Sequence, residues 1–424
     1  MSKLPPEPAS RLTPDAGTLS IGVLGAGQFS GAFTALFARH PNVGNVYVSD
    51  VVPDRAAALV ARQGLAGTFE SFDQMLDSPT IDAVAVFTQR WTHGPLVAQA
   101  LRAGKHVYSA VPMASALTEI DEIVRLVDET GLTYMMGETS YYNPAVVYAR
   151  DRHRNGDFGR VFYAEGDYVH DMDLGFYAAY QYSGGAEWKS TASFPPMLYP
   201  THAIGGVLGA LPTHAVSVSC LGVPDDRGDG VFDGDVSRWG NDFSNATALF
   251  ELADGGVMRT NEMRRVGYPS PIRESRFRYF GTDASFEQLA RTCVWQDKTD
   301  SYDISSKFAT MSEQAADRQT GPGVDPALAA AFTSGMAEVH HRSRLPWQFD
   351  GAPNGHEGSY QFLADDFVRA VVTGARPPVD AVRAAQFTAP GLVAHRSALQ
   401  GGARLPVPEY STAERPVANP PGRR

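Results

Sequence analysis

Between Leu19 and Met136 the apolar positions alternate between short continuous runs and longer stretches in which they recur every three or four residues. The runs Leu19–Leu24, Val46–Ser49, Ile81–Phe87, Lys105–Ser109 and Leu132–Met136 predict strands. Between them, the stretch carrying Phe33, Leu36 and Phe37 predicts a helix, as do Ala56–Gln63, Ser71–Leu76, Leu96–Ala103 and Thr118–Glu129. Strands alternating with helices at this spacing predict a parallel, doubly wound sheet, because each crossover must return the chain to the same edge. Beyond Glu138 the pattern changes. Pro144–Asn155 is still helical, but Val161–His170, Ala215–Leu221, Thr247–Leu252, Gly256–Glu262 and Phe277–Gly281 predict strands, with Asp254-Gly-Gly256 as a hairpin turn. Two late helices, Tyr360–Thr373 and Ala381–Leu399, close the chain.

The expected class is therefore α/β: an N-terminal doubly wound parallel sheet over 19–139, then an α+β domain over 140–411 on a large, mostly antiparallel sheet. Residues 1–18 and 412–424, rich in proline, read as tails, and Pro224–Gly240 and Thr310–Pro326 as loops. A length of 424 residues fits two domains, and 43% hydrophobic residues suffice for sizeable cores. A net charge of −11 argues against a nucleic-acid partner. No stretch approaches the roughly 18 apolar residues of a membrane span. Met1–Gly17 has no apolar core of the kind a secretory signal needs. Cys220 and Cys293 are too few for a disulfide scaffold, and a cytoplasmic setting is expected. No histidine spacing predicts a metal site.

The first strand leads into Gly25-Ala-Gly-Gln-Phe-Ser30 and then a helix. Gly25 allows a tight turn and Gly27 close approach of a phosphate, with Gln28 and Phe29 beside them at the positive end of the helix dipole. Ser30 replaces the third glycine of the pattern and is small enough for helix–strand packing. Asp50, at the end of the second strand, stands where a carboxylate accepts hydrogen bonds from the adenosine ribose. It would repel a 2′-phosphate, so NAD is expected rather than NADP. Thr88 and Trp91 follow the Ile81–Phe87 strand and Glu138 the Leu132–Met136 strand, at the sheet edge where cofactors sit.

The segments Ile81-Asp-Ala-Val-Ala-Val-Phe-Thr88, His93 and Ala100-Leu-Arg-Ala-Gly-Lys-His-Val107 resemble the Gfo/Idh/MocA oxidoreductases. The likeness extends from Leu19 to Tyr410 and implies a Rossmann domain followed by an α/β domain whose open sheet makes contacts in a homo-oligomer, dimer or tetramer. Members usually carry Glu-Lys-Pro after the strand that ends here at Ser109, the lysine helping proton transfer; this chain has Ala110-Val-Pro112. Trp91-Thr-His93, Val111-Pro112, Tyr134–Tyr142, Ala164–Asp171 and Leu198–Gly205 resemble the NAD-dependent glycosidases of glycoside hydrolase family 109. That branch has Glu where Ala110 stands and Asn where Thr139 stands. The resemblance implies that Trp91, His93, Val111 and Thr139 contact NAD, while Tyr168 and Tyr199–His202 meet a sugar.

It also implies a mechanism: oxidation at C3 of the sugar, loss of the C2 proton with departure of the aglycone, addition of water at C1, and re-reduction. Paired carboxylates at a fixed separation are not needed for this route. His202, which titrates near neutrality, is the expected base at C3; Tyr199, one helical turn before it, shares the work. Tyr168 is the expected group at C2, with His170 and Asp171 supporting it or binding substrate. Lys189 or Arg264-Arg265 in the cleft would favour an anionic sugar, such as a sulfoquinovoside or uronide. His356 is a further lining candidate. The alternatives are an NAD-dependent sugar or polyol dehydrogenase and a non-catalytic NAD-bound sensor.

Overall fold

The computed structural model describes residues 10–27, 29–173, 176–267, 274–309, 335–352, 354–355 and 357–411. Its first sheet contains β1 (Leu19–Leu24), β2 (Val43–Ser49), β3 (Gly67–Thr68), β4 (Ala83–Val86), β5 (His106–Ser109) and β6 (Tyr134–Met136). All six are parallel, in the order β3-β2-β1-β4-β5-β6, so the strand order reverses between β1 and β4. Strand β4 is buried along its whole length, the signature of a sheet covered by helices on both faces. The turns beyond β1, β2, β4, β5 and β6 all open at one edge, which makes that edge a binding crevice.

The second sheet contains β7 (Val161–Val169), β8 (Ala215–Pro224), β9 (Phe243–Leu252), β10 (Val257–Met263), β11 (Ser275–Gly281), β12 (Ala284–Gln288), β13 (Cys293–Asp297), β14 (Ser301–Asp303) and β15 (Leu405–Pro406). Their order is β14-β13-β12-β11-β7-β10-β9-β8-β15. Every neighbouring pair is antiparallel except β7 with β10. The Asp254-Gly-Gly256 turn joins β9 to β10, with Gly255 at φ 78°. Strands β12 to β15 extend the sheet beyond the strands expected. So do the helices Phe176–Gly184, Trp188–Ala192 and Thr201–Ala210 within its connections. Thr310–Pro326 and the terminal segments 1–9 and 412–424 lie outside the described residues.

One late helix reaches back to the first sheet while also packing on Tyr142 and Arg344. Tyr360–Thr373, assigned by position to the second half, packs on the first sheet's helix Ser30–Arg39. The Tyr360 ring lies 4.8 Å from that of Phe33, and Phe367 sits 6.2 Å from Phe37 and 5.6 Å from Tyr108. Aromatic burial decides where the helix rests, and chain position does not.

Helix Thr201–Ala210 is buried on every side and lies against the second sheet. Two glycines allow the close approach. A Cβ on Gly206 would stand 2.0 Å from the Phe277 ring, and one on Gly166 of β7 would stand 2.4 Å from the Ala203 carbonyl oxygen. The Tyr279 hydroxyl donates to the Gly206 carbonyl at 2.9 Å. Among the described residues, no helix is long and apolar enough to cross a membrane.

Gly166→Ala places its new methyl against main chain that cannot swing aside. The expected loss of stability is about 1–3 kcal/mol, measured by urea denaturation. Wild-type stability in that variant would mean the helix has room to shift.

Candidate active site

A cleft of about 1130 Å³ runs along the open edge of the first sheet and against the second. It is larger than the roughly 300–1,000 Å³ of a drug-sized pocket. One wall carries Gly25, Gly27 and Phe29 from the turn after β1, Asp50 after β2, Thr88, Trp91 and His93 after β4, Val111 after β5 and Thr139 after β6. The facing wall carries Tyr168, His170, Tyr199 and His202. Gln28 and His356 lie outside the described residues.

The turn after β1 fits a pyrophosphate. Gly25 has φ 98°, and a Cβ there would stand 2.6 Å from the Phe87 carbonyl oxygen. The Cβ position of Gly27 has no atom within 4 Å, so the turn is open on its cleft side. Helix Ser30–Arg39 begins at once, aiming its positive end at the same place. Ser30 is buried and donates its hydroxyl to the Gly27 carbonyl at 3.0 Å, which ties down the turn where a third glycine is usual. Asp50 accepts from the backbone N–H of Ala26 (2.6 Å) and of Val52 (2.7 Å). Its carboxylate is thereby held at the rim where a ribose would lie. Phe29 packs against Phe33, Phe87 and Tyr360 and anchors the loop.

His93 lines the cleft, but both ring nitrogens face main chain: Nδ1 lies 2.8 Å from the Pro112 carbonyl oxygen and Nε2 3.1 Å from that of Thr88. Burial lowers its pKa, and in its neutral form the ring can donate to only one of these two carbonyls. Trp91 presents its ring to the cleft and packs on Trp239 at 5.3 Å and Phe194 at 6.5 Å.

His202 occupies the first turn of helix Thr201–Ala210 and is buried. Its Nδ1 lies 2.7 Å from Oε1 of Glu138, which also accepts from the Ser140 N–H at 2.8 Å. Thr139 Oγ1 is 3.4 Å from the same nitrogen. Nε2 lies 3.3 Å from the Tyr199 hydroxyl. The Glu138 contact assigns the proton to Nδ1 and leaves Nε2 to work in the cleft. Tyr199 precedes the helix rather than sharing it, with φ −121° and ψ 57°. The two side chains meet because the chain turns at Pro200, not because they lie one helical turn apart.

The electrostatics separate these groups. Burial alone disfavours a charged imidazole, but the charge and hydrogen bond of Glu138 raise the His202 pKa above its ordinary value. Burial likewise opposes ionisation of Glu138, and His202 outweighs it, so Glu138 is held below the carboxylate range. Tyr168 runs the other way. Its ring lies 4.6 Å from that of His202, and burial together with the charge of Glu274 pushes its phenol well up. A phenol alone is thus a poor base for the C2 role expected of it. Behind it stands Glu274, hydrogen-bonded to the Tyr168 hydroxyl, with its pKa pushed up to about 7 by burial. His170 Nε2 lies 3.4 Å from Glu274, and its ring stacks on Tyr168. Glu262, paired with Arg264 at 2.9 Å, is pushed up to about 8 by burial.

Glu262 and Glu274 were not among the residues singled out from sequence, and neither was Arg90. Two of the cations proposed for the cleft are elsewhere. Lys189 is exposed and donates to the Asp229 carbonyl at 2.7 Å. Arg265 is held by Asp225 (3.2 Å) and Asp229 (3.0 Å). A main-chain carbonyl holds the first and two carboxylates the second. Asp171 accepts from the N–H groups of Asp173 and Val266 at 2.8 and 2.9 Å and so braces the loops behind Tyr168. Among the described residues, no cluster of three or more histidine, cysteine or acidic side chains could hold a metal.

A doubly wound sheet with this turn, facing a buried imidazole–carboxylate pair, defines a dinucleotide-dependent enzyme. Residues 19–138 match the Gfo/Idh/MocA family model described as "Oxidoreductase family, NAD-binding Rossmann fold". Over 93% of its length the chain is 22% identical to a glycosyl hydrolase family 109 protein of Saccharopolyspora erythraea, covering 83% of it. It is 27% identical to one of Shewanella woodyi over 48% of this chain, and spans 47% of that protein. Its fold is similar to that of levoglucosan dehydrogenase in complex with NADH and L-sorbose: TM-score 0.68, 17% identity, 93% of this chain and all of that one.

Replacing Glu138 by Gln removes the charge that raises the His202 pKa. For a reaction that needs neutral His202, the acid limb of the kcat/KM profile should move to lower pH, with activity falling roughly 10–100-fold. An unmoved limb would detach Glu138 from the imidazole's titration. Asp50→Ala should weaken NAD binding in a fluorescence titration, and unchanged affinity would remove the carboxylate from the ribose site.

Proposed function

We propose that this protein is an NAD-dependent glycoside hydrolase that oxidises C3 of its sugar transiently and restores it before release. The observation that carries the reading is the presence of two separate proton-handling units on one wall, His202 with Glu138 and Tyr168 with Glu274. A net dehydrogenase needs one such unit; elimination and readdition across C1 and C2 need a second. The similarity to family 109 glycosyl hydrolases along nearly the whole chain supports the same reading.

Gly25, Gly27, Phe29 and Asp50 would hold the phosphates and adenosine ribose, with Thr88, Trp91, Val111 and Thr139 along the rest of the dinucleotide. Bound NAD supplies reversible hydride acceptance at a carbinol carbon. His202 Nε2 takes the C3 hydroxyl proton, and Glu138 stabilises the imidazolium that results. Val111 stands where relatives carry a lysine and has no proton to move, so the imidazole does that work. With C3 at the ketone level the C2 hydrogen is acidic. The Tyr168 oxygen accepts that proton while its own passes to Glu274, and the C1–O bond to the aglycone breaks. Water adds at C1 by the reverse transfers. Tyr199 hydrogen-bonds the sugar beside His202, and His170 keeps Tyr168 and Glu274 aligned.

We place the protein in the cytoplasm, where its two free, buried cysteines stay reduced. Homo-oligomer contacts are assigned to the outer face of the second sheet, where Phe162, Leu221 and Leu249 are exposed.

Aryl glycosides incubated with enzyme and NAD should release aglycone without net NADH, and the product should carry solvent deuterium at C2. Stoichiometric NADH would make the protein a dehydrogenase instead, and a C2 position that retains its original hydrogen would exclude elimination. His202→Ala should abolish turnover with NAD binding intact; continued turnover removes His202 from the reaction.

A further inference from the structure

Arg90 projects from the turn after β4, half-buried, into the cleft. Its guanidinium lies 4.9 Å from the Phe194 ring, 5.0 Å from Tyr199 and 5.3 Å from Tyr180, and Nη2 donates to the Tyr180 hydroxyl at 2.7 Å. Among the described residues, no carboxylate lies within ion-pair distance of it. A guanidinium has five N–H donors and is always charged, so one phenol leaves most of its capacity unused. Arg264, a buried arginine of the facing wall, is by contrast paired with Glu262.

The carboxylates that line the cleft are Asp50 and Glu70, both on the rim beyond β2 and β3. The facing wall adds Arg264 and the exposed Arg238, whose guanidinium lies 5.6 Å from the Trp91 ring. The end suited to a ribose thus carries both lining carboxylates with Arg55 beside them, and the charged side chains lining the other end are arginines. All three rings around Arg90 come from the wall that bears His202, and one ring, Tyr199, separates Arg90 from the imidazole.

We propose that Arg90 is the binding site for an oxyanion on the substrate, which makes the substrate a glycoside of an acidic sugar: a carboxylate, a sulfonate, or a sulfate or phosphate ester. This rests on the reading that a sugar occupies the cleft, and it goes further by assigning a charge and the residue that reads it. The fork of N–H groups meets two oxygens of the anion while the aromatic rings hold the guanidinium flat. The competing use of Arg90, for the phosphates of NAD, has the β1 turn and its helix terminus already in place for that task.

The test is calorimetric titration of NAD-loaded protein with methyl glycosides in matched pairs: glucoside against glucuronide, 6-sulfonate, 6-sulfate and 6-phosphate, and likewise in the galacto series. An anionic member should bind about 10–100-fold more tightly than its neutral partner, the worth of a charge-assisted bidentate contact. That preference should vanish in Arg90→Met, survive in part in Arg90→Lys, and weaken with salt in the wild type, while NAD affinity stays unchanged. The salt series needs no variant and stands even where Arg90→Met fails to fold. No preference in the wild type overturns the proposal, as does a loss of NAD affinity in Arg90→Met that matches its loss of sugar affinity. Anion-selective binding with no cleavage of any glycoside would overturn the glycosidase reading alone, and cleavage of neutral glycosides without anion preference would overturn this one alone.

Discussion

The contact on which the site depends is the 2.7 Å pairing of Glu138 with His202, both out of water. The two residues come from different layers: Glu138 ends the last strand of the parallel sheet, and His202 begins the helix buried against the mixed sheet. Removing one partner of such a pair leaves an uncompensated buried charge and costs roughly 3–5 kcal/mol. Seating the helix therefore sets the chemistry. The glycines that draw Thr201–Ala210 onto the sheet determine where the imidazole meets the carboxylate. Packing and proton transfer are one problem here.

Around that pair the same force, burial, acts in opposite directions on similar groups. Glu138 has the His202 imidazole at hydrogen-bond distance and is held below its ordinary pKa. Glu274 has a phenol as its hydrogen-bond partner and is pushed up to about 7, so it takes or gives a proton near neutrality. Carboxyls driven apart in this way mark distinct roles in a site. One orients and stabilises a charge; the other stores a proton. Burial also pushes Glu262 up, to about 8, against the opposing charge and hydrogen bond of Arg264.

How much of this could be read from the chain follows from the range of the interactions. The parallel sheet, the glycine turn and Asp50 were legible because each depends on neighbours within about one strand–helix unit. The extent of helix Thr201–Ala210, beyond a helical turn at His202, was not, since three glycines in ten residues argue against a helix until the sheet beside it is known. The packing of Tyr360–Thr373 on the first sheet was also hidden, because it joins residues more than 300 apart in the chain. Glu274 and Arg90 look like surface charges in a sequence; only burial and the lack or kind of partner distinguish them. Lys189 and Arg265 illustrate the converse: both looked available for a ligand, and acidic loops nearby hold them.

The exchange of an ammonium for an imidazole fits the chemistry proposed. A lysine must be depressed several units by burial to act as a base near neutrality, whereas a histidine starts there and needs only a carboxylate to hold its charged form. A reaction that oxidises a carbon and then reduces it again must lend a proton and recover it in each cycle. A group that gives and takes with nearly equal ease suits that traffic better than one biased toward either state. Glu138 supplies the required bias by raising His202 without locking it, because Nε2 stays open toward Tyr199 and the cleft. On the function proposed, the missing lysine is no sign of lost activity. It moves the proton to the opposite wall, beside a second unit that an ordinary dehydrogenase has no use for.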